Sequence, residues 1–138
     1  MAGPGSAAEQ RRADARRRAE LAAAGERAES ETAQREIDTF VAEMTRRGIA
    51  PEPLQAVLLN GRRVKSDRCG WYLNNAKTIA VGPGGEFFRL VVPGSALVRW
   101  RGAPVEPTPP PLVIARGGRD GESGDLTDFL ARALAAYS

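Results

Sequence analysis

Hydrophobic and polar residues alternate most clearly in the middle of the chain, where residues 78–81 and 87–92 are rich in β-branched and aromatic side chains. Such side chains fit the pleated surface of a strand. Alternation places Phe88, Leu90 and Val92 on one face and Phe87, Arg89 and Val91 on the other. Between the runs, Gly82-Pro83-Gly84-Gly85 supplies the proline and glycine of a type II turn, so an antiparallel hairpin is expected.

Two further strands are expected on either side of this hairpin. Trp71 and Leu73 indicate a strand upstream, with Tyr72 facing the opposite way and Asn74-Asn75 forming the turn that follows. Downstream, residues 97–101 alternate between inward apolar residues and outward arginines: Val98, Trp100, Arg99 and Arg101. Together these runs predict a small, twisted antiparallel sheet of three to five strands.

Residues 31–47 carry helical periodicity. The apolar residues at helical spacing are Ile37, Phe40, Val41 and Met44. Ser30 or Thr32 can cap the start of this helix. Gly48 can take the left-handed conformation that ends it, with Ile49 packing back on Met44. The apolar stripe is expected to pack on the sheet; docking on another protein is the alternative.

The first 29 residues consist largely of Ala, Arg and Glu, with Leu21 as the one large apolar residue after Met1. Their helix propensity is high. Gly25 interrupts the pattern, however, and without an apolar stripe an isolated helix is marginal. This segment is therefore predicted to be a disordered or frayed, charged helical arm. A coiled coil is a weaker reading because alanine occupies the heptad positions.

Residues 54–59 fit either a strand or a helix, since periodicity does not separate the two over so short a run. The strand is favoured because Asn60-Gly61 follows and suits a type I′ hairpin turn.

The C-terminal part begins with a proline-rich connector over 102–111, which is expected to be extended. A short strand over 112–115 and a glycine-rich loop follow. Asp125 and Asp128 resemble a capping box at the start of a helix over 125–137. The buried face of that helix is expected to contain Phe129, Leu130, Ala133 and Leu134. The predicted fold is an α+β domain over 30–138, with a helix at 31–47, a sheet over about 54–115 and a short C-terminal helix.

Length and composition point to a single domain in a reducing compartment. The chain has 138 residues, one cysteine and no run of apolar residues long enough to span a bilayer. One cysteine cannot form an internal disulfide, and the N-terminus lacks the apolar core of a secretory signal. A cytoplasmic protein without membrane contact is therefore expected.

Charge is distributed unevenly along the chain. Between residues 62 and 101, eight Lys and Arg face two acidic residues, whereas residues 102–138 have a net charge of −2. A basic sheet face could bind an anionic macromolecule, and the alternative is that these are solvated outward residues. The predicted partner-binding residues are Arg62, Arg63, Lys65, Arg89, Arg99, Arg101, Tyr72 and Phe87.

Several chemistries find no support in the sequence. With no histidine, the chain lacks the usual general base and the histidine-dependent nucleophiles and zinc sites. Ser123 lies in a sequence that fails the G-x-S-x-G pattern because Asp125 replaces the second glycine. Asp120 and Glu122 do not have EF-hand spacing, and Cys69 is read as a small core residue. No catalytic residue, cofactor or metal is predicted.

Part of the C-terminal half resembles a group of small uncharacterised actinobacterial proteins. The residues that carry the resemblance are Gly70-Trp71-Tyr72-Leu73, Ile79-Ala80-Val81-Gly82, Gly85-Glu86-Phe87-Phe88, Pro110-Pro111-Leu112-Val113 and the run 117–123. The resemblance implies a bacterial, cytoplasmic origin and no particular activity.

The sequence therefore predicts a non-enzymatic protein-interaction module, with self-association through the N-terminal arm as one possibility. Two alternatives remain open. One is a nucleic-acid-binding protein that uses the basic, aromatic sheet face. The other is a small carboxylate- or thiol-dependent enzyme.

Overall fold

The computed structural model describes residues 4–93, 102–114 and 123–138. Its α+β fold agrees with the expectation from the sequence. The two helices are α1 (Pro4–Arg46) and α2 (Leu126–Tyr137). The main sheet contains β1 (Glu52–Leu58), β2 (Arg63–Tyr72), β3 (Ile79–Val81), β4 (Phe87–Arg89) and β5 (Val91–Val92). A second, two-stranded sheet pairs β6 (Val113–Ile114) with β7 (Gly124–Asp125).

The five-stranded sheet closes on itself. Its order is β4-β3-β2-β1-β5, and all pairs are antiparallel except β1 with β5. The two edge strands, β4 and β5, are separated in the chain by Leu90 alone. Leu90 donates its N–H to the Thr78 carbonyl at 2.8 Å and accepts the Val57 N–H at 2.7 Å. The chain therefore changes strand partner at one residue, and the sheet curls into a small barrel-like ring.

Side chains cover the sheet on both faces. Inside the ring, the buried residues are Leu54, Ala56, Tyr72, Ala80, Phe88, Leu90, Ala103 and Val105. On the outer face, Trp71, Val81 and Phe87 pack against both helices. The predicted apolar stripe of α1 lies in this outer core, where Phe40 meets Trp71 edge-on at 6.0 Å between ring centroids. The alternative prediction, that this stripe docks on another protein, is therefore wrong, because the stripe packs against the chain's own sheet.

Helix α1 is longer than the predicted helix over 31–47. It begins at Pro4 and runs through Gly25 and Thr32 without a break. Thr32 is not a cap: its hydroxyl donates to the Ala28 carbonyl at 3.1 Å, as threonine does inside a helix. The high propensity of the Ala, Arg and Glu residues explains the continuity, since one interior glycine costs only about 1 kcal/mol relative to alanine.

The end of α1 agrees with the predicted Schellman motif. The Ile49 N–H donates to the Met44 carbonyl, and the Gly48 N–H donates to the Thr45 carbonyl, both at 3.0 Å. Ile49 also packs against the outer core. These bonds satisfy carbonyls at the helix end and turn the chain into β1.

Residues 54–59 lie largely in strand β1, which resolves the ambiguity in favour of the strand, but both predicted turn types are wrong. Positive φ occurs at Gly61 (84°) and Gly85 (88°), the third loop residue of each hairpin. In the first hairpin, a type I′ turn would also need a positive φ at Asn60. In the second, a type II turn would need the positive φ at Gly84 instead of Gly85. Both hairpins instead have three-residue loops in which a left-handed glycine follows the turn. This arrangement suits the twist of the flanking strands.

The connector over 102–111 is extended and packs along β2. Ala103 and Val105 are buried inside the ring, and the Val105 N–H donates to Asp67 Oδ1 at 3.0 Å. Helix α2 buries Phe129, Leu130 and Ala133 as predicted, with Leu134 partly buried. Asp125 occupies the N-cap position, but its side chain makes no capping hydrogen bond, so the capping box is wrong. The backbone of Asp125 is instead extended and pairs with β6. The predicted strand over 97–101 and most of the glycine-rich loop lie outside the described residues.

Candidate interaction surfaces

Three of the predicted basic residues lie on one outward surface of the sheet. Arg63 and Lys65 alternate along β2 and are exposed, as is Arg89 at the end of β4. Val57 links them, since it pairs with Arg63 on one side and with Val91 on the other. We call this surface, formed by Val57, Arg63, Lys65, Arg89 and Val91, the basic strip.

Arg62 is not part of this strip. Arg62 lies in the loop before β2, where its N–H donates to Asn60 Oδ1 at 2.9 Å. Arg99 and Arg101 lie outside the described residues.

The aromatic residues predicted to contact a partner are buried. Phe87 is 1% exposed in the outer core and Tyr72 is 8% exposed inside the ring. Cations cover both rings: the Arg89 guanidinium lies 5.5 Å from the Phe87 centroid, and the Lys77 ammonium lies 5.2 Å from that of Tyr72. The outer core covers the part of the outer face that holds Phe87, and Tyr72 faces the inside of the ring, so both rings are buried. Phe87 and Tyr72 are therefore not available as a platform for stacking bases.

Arg63 is tied to the loop after β2. Its guanidinium donates to the Ala76 carbonyl at 2.5 Å and to the Lys77 carbonyl at 3.4 Å. That loop is held by Asn74, whose side-chain oxygen accepts the N–H groups of Thr78 and Ile79. The contacts place one cation of the basic strip beside a well-bonded turn.

A recess of about 310 Å³, lined by both polar and apolar side chains, lies between this turn and helix α2. The Tyr137 hydroxyl accepts the Tyr72 N–H at 2.9 Å and donates to Glu52 Oε2 at 2.7 Å. Burial raises the pKa of Tyr137, and the hydrogen bond to Glu52 raises this pKa further. The phenol is therefore neutral at physiological pH, and it joins α2, β1 and β2 rather than acting as a base. Lys77 and Arg132 also line the recess.

An apolar groove of about 430 Å³ runs between α1 and α2. Phe40, Leu130 and Leu134 line its floor, and the Thr127 hydroxyl donates to Glu36 at 3.1 Å across it. At its other end Glu43 is paired with Arg46 and Arg47, whose hydrogen bonds lower the pKa of Glu43 to about 2.

The most exposed element is the first part of α1. From residue 5 to residue 28 no side chain is buried, and Leu21 is 68% exposed. The first contact with the rest of the chain that we identify is Glu29, whose Oε1 accepts the Leu112 N–H at 3.1 Å, and the first buried residue is Ala33. We define residues 4–28 as the arm, which is about 37 Å long at 1.5 Å per residue.

Other candidate chemistry from the sequence is not assembled into a site. Cys69 is exposed, which corrects its assignment as a core residue, because the outer face of β2 is uncovered there. Asp120 and Glu122 lie outside the described residues. Within the described ranges, no cluster of three or more Cys, Asp or Glu side chains is arranged to hold a metal ion. No described helix combines the length and apolar character needed to cross a membrane.

Sequence reasoning missed two features of these surfaces. It did not anticipate the contact between Glu52 and Tyr137, because 85 residues separate them and neither lies in a recognisable motif. It also underestimated the arm, although the helix propensity of that segment was the correct signal.

Comparisons with known proteins identified no relative of this chain. No protein-family model matches the chain, and no curated protein or solved structure is significantly similar to it. The resemblance to small actinobacterial proteins stays a prediction.

Proposed function

We propose that the protein is a non-enzymatic interaction module whose arm binds another protein. The observation that carries this proposal is the exposure of the arm: helix α1 continues over residues 5–28 without burying a side chain. Most helices in proteins are stabilised mainly by packing an apolar face on the rest of the fold, and residues 5–28 have no such packing. A helix that is extended well beyond its own core gains stability when a partner packs on it.

The folded part of the chain suits the role of an anchor. The same helix is fixed in the outer core through Ile37, Phe40 and Met44. In addition, the Gln34 amide donates to the Gly85 carbonyl at 2.6 Å. Because α1 is one continuous helix, these contacts set the direction in which the arm leaves the domain.

A cytoplasmic location fits this role. A chain with one cysteine cannot form an internal disulfide, which suits a reducing compartment.

Photo-crosslinking in the intact host cell tests the proposal. A photoreactive amino acid replaces Ala15 or Ala22 in the arm, and the control carries it at Leu59, which is 66% exposed at a hairpin tip. We expect protein adducts from both arm positions and few from Leu59. Arm positions that yield no more protein adducts than Leu59 would contradict the proposal.

Nucleic-acid binding through the basic strip is the second candidate. The specific observation in its favour is that Arg63, Lys65 and Arg89 share one exposed surface. The burial of Phe87 and Tyr72 weakens it, because single-strand binders combine cations with exposed aromatic rings.

A mobility-shift assay over a range of salt concentrations separates the two candidates. Binding through the strip should fall steeply with salt. It should weaken in Lys65→Ala/Arg89→Ala but not in the control Arg27→Ala/Arg35→Ala, which removes the same charge from α1. Equal effects of the two double variants would exclude the strip as the nucleic-acid site.

A further inference from the structure

The charge of helix α1 changes sign along its length. Over residues 4–18, five arginines oppose two acidic residues, which gives a net charge of +3. Over residues 19–46, to the end of the helix, seven acidic residues oppose three arginines, which gives −4. The change falls between Arg18 and Glu20, next to Leu21 and within the arm. A straight helix cannot bring its own two ends together, so charges far from the change of sign cannot neutralise each other within α1.

Many of these charges are exposed. Arg12, Arg16 and Arg18 are exposed in the basic part of the arm, and Glu20, Glu26 and Glu31 are exposed in the acidic part. Other acidic residues of α1 already have partners within the chain: Glu29 bonds to Leu112, Glu36 to Thr127, and Glu43 to two arginines. The exposed residues are therefore those that an outside helix would meet.

We infer that the partner of the arm is a second copy of this chain, which lies antiparallel along it. This inference rests on the proposed function and names the partner. A parallel pair would place the basic parts side by side and the acidic parts side by side, which is repulsive. An antiparallel pair centred near Leu21 places residues 4–18 of each helix beside about residues 24–38 of the other. Each basic part then faces an acidic part, and this happens twice because the pair has twofold symmetry.

The side chains of the arm permit such a pair. Nine of its residues are alanine, which lets two helices approach closely without a clash. Charged residues occur on all sides of the helix, so the complementarity does not depend on one rotation of the pair. The overlap from residue 4 to about residue 38 extends over roughly 50 Å. The first turns of each arm then lie against the exposed side of α1 in the other copy, near Glu31 and Asp38.

Alanine provides little apolar area, so we expect electrostatic attraction to contribute much of the affinity. The pair should therefore dissociate as salt increases, because exposed charges are screened beyond about 10 Å at 0.1 M salt. A pair held by large apolar side chains would not respond in this way.

Charge reversal in the full-length protein tests the inference. Variant A is Arg12→Glu/Arg16→Glu/Arg18→Glu, which makes residues 4–18 acidic. Variant B is Glu20→Arg/Glu26→Arg/Glu31→Arg, which makes residues 19–46 basic. Each variant alone would set like charges against each other in the antiparallel pair. Mixed together, A and B restore opposite charges at both ends.

Sedimentation velocity gives the readout. We expect the unmodified chain to form a dimer, A and B each to associate at least tenfold more weakly, and an equimolar mixture of A and B to recover the dimer. Circular dichroism and thermal unfolding of each variant confirm that the domain is folded. An unmodified chain that stays monomeric, or a mixture that does not recover the dimer, would overturn the inference.

The orientation can be measured separately with spin labels in a Cys69→Ser background. Labels at Ala8→Cys should lie about 40 Å apart in the antiparallel pair, whereas labels at Ala22→Cys should lie close together. Short distances at both positions would indicate a parallel pair and contradict the inference. If the chain is monomeric but its arm crosslinks to a different protein, the inference fails and the proposed function stands. If the arm yields no adduct, both fail.

Discussion

The Gln34 side-chain amide donates to the Gly85 carbonyl at 2.6 Å, and this bond joins helix α1 to the tip of the β3–β4 hairpin. Gln34 also donates to Asp38 Oδ1 at 3.0 Å, so one side chain of α1 bridges its own helix and the hairpin. The position of the hairpin and the direction of the arm therefore depend on the same contact.

Gly85→Ala should destabilise the domain by about 2 kcal/mol. Gly85 has a φ of 88°, and a left-handed conformation costs about 1–2 kcal/mol for other residues. A Cβ there would also lie 2.6 Å from Asp38 Oδ1 and 3.0 Å from Gln34 Nε2, so these side chains must shift. Urea unfolding measures the change. Gly48→Ala, which has a φ of 71° but open space around its Cβ, is the control and should lose only the conformational part. Equal losses would contradict the packing role of the hairpin tip.

Tyr137→Phe should lower the free energy of unfolding by about 1–2 kcal/mol, because it leaves the Tyr72 N–H and Glu52 without their partner. Urea unfolding at pH 7 measures this. The pKa of Tyr137 is raised above its ordinary value of 10.0, so the hydroxyl's contribution is complete below pH 10 and decreases as the pH rises further. The difference between the two proteins should therefore shrink in strong alkali. A difference that grows above pH 10 would contradict this account of the recess.

Glu43→Gln should reduce stability at neutral pH and have little effect in strong acid. The pKa of Glu43 is lowered from 4.5 to about 2 by Arg46 and Arg47, so its contribution is complete above pH 4.5 and is lost as the pH falls to about 2. The pairs are exposed, so the effect should be small and should decrease in high salt. Unfolding midpoints at pH 7 and pH 2 check the sign. A larger effect at pH 2 than at pH 7 would contradict it.

Gly25 offers a matched pair of substitutions within the arm. Gly25→Ala should stabilise the helix by about 1 kcal/mol, because nothing lies within 4 Å of the added Cβ. Gly25→Pro should break the helix at a cost of about 3 kcal/mol. We expect self-association, measured by sedimentation, to strengthen in the alanine variant and to weaken by at least tenfold in the proline variant. The thermal unfolding of the domain serves as the control, since Gly25 lies outside its core. Equal association of both variants would show that the continuous helix is not needed.

Much of the fold follows from local patterns in the sequence. The stripe from Ile37 to Met44 and the alternation of Phe88, Leu90 and Val92 were correctly assigned, because helical and strand periodicity are properties of neighbouring residues. The turn types were not, because Gly84 and Gly85 are both able to take a positive φ and the strand register decides between them. The burial of Phe87 also depends on non-local packing. Alternation of residues along a strand predicts which side chains share a face of the sheet, but it does not show that other elements will pack on both faces.

The candidate surfaces were less predictable than the fold. Arg63, Lys65 and Arg89 were identified from charge and alternation. That Tyr72 is buried inside the ring, away from these cations, could not be predicted, because it depends on how the sheet closes. The recess around Tyr137 joins segments that are far apart in the chain. The arm lacks the large apolar residues that usually mark an interface, so its role is inferred from exposure and charge.

Hydrogen exchange of the full-length chain, measured over a range of protein concentrations, tests the role of the arm most directly. Amides over residues 5–28 should exchange rapidly in dilute protein and become at least tenfold slower as the concentration rises. Amides over 33–46 serve as the internal control and should stay protected throughout, because they belong to the core. Exchange in the arm that does not depend on concentration would contradict self-association. Protection in the arm equal to that of residues 33–46 at every dilution would show that the helix needs no partner.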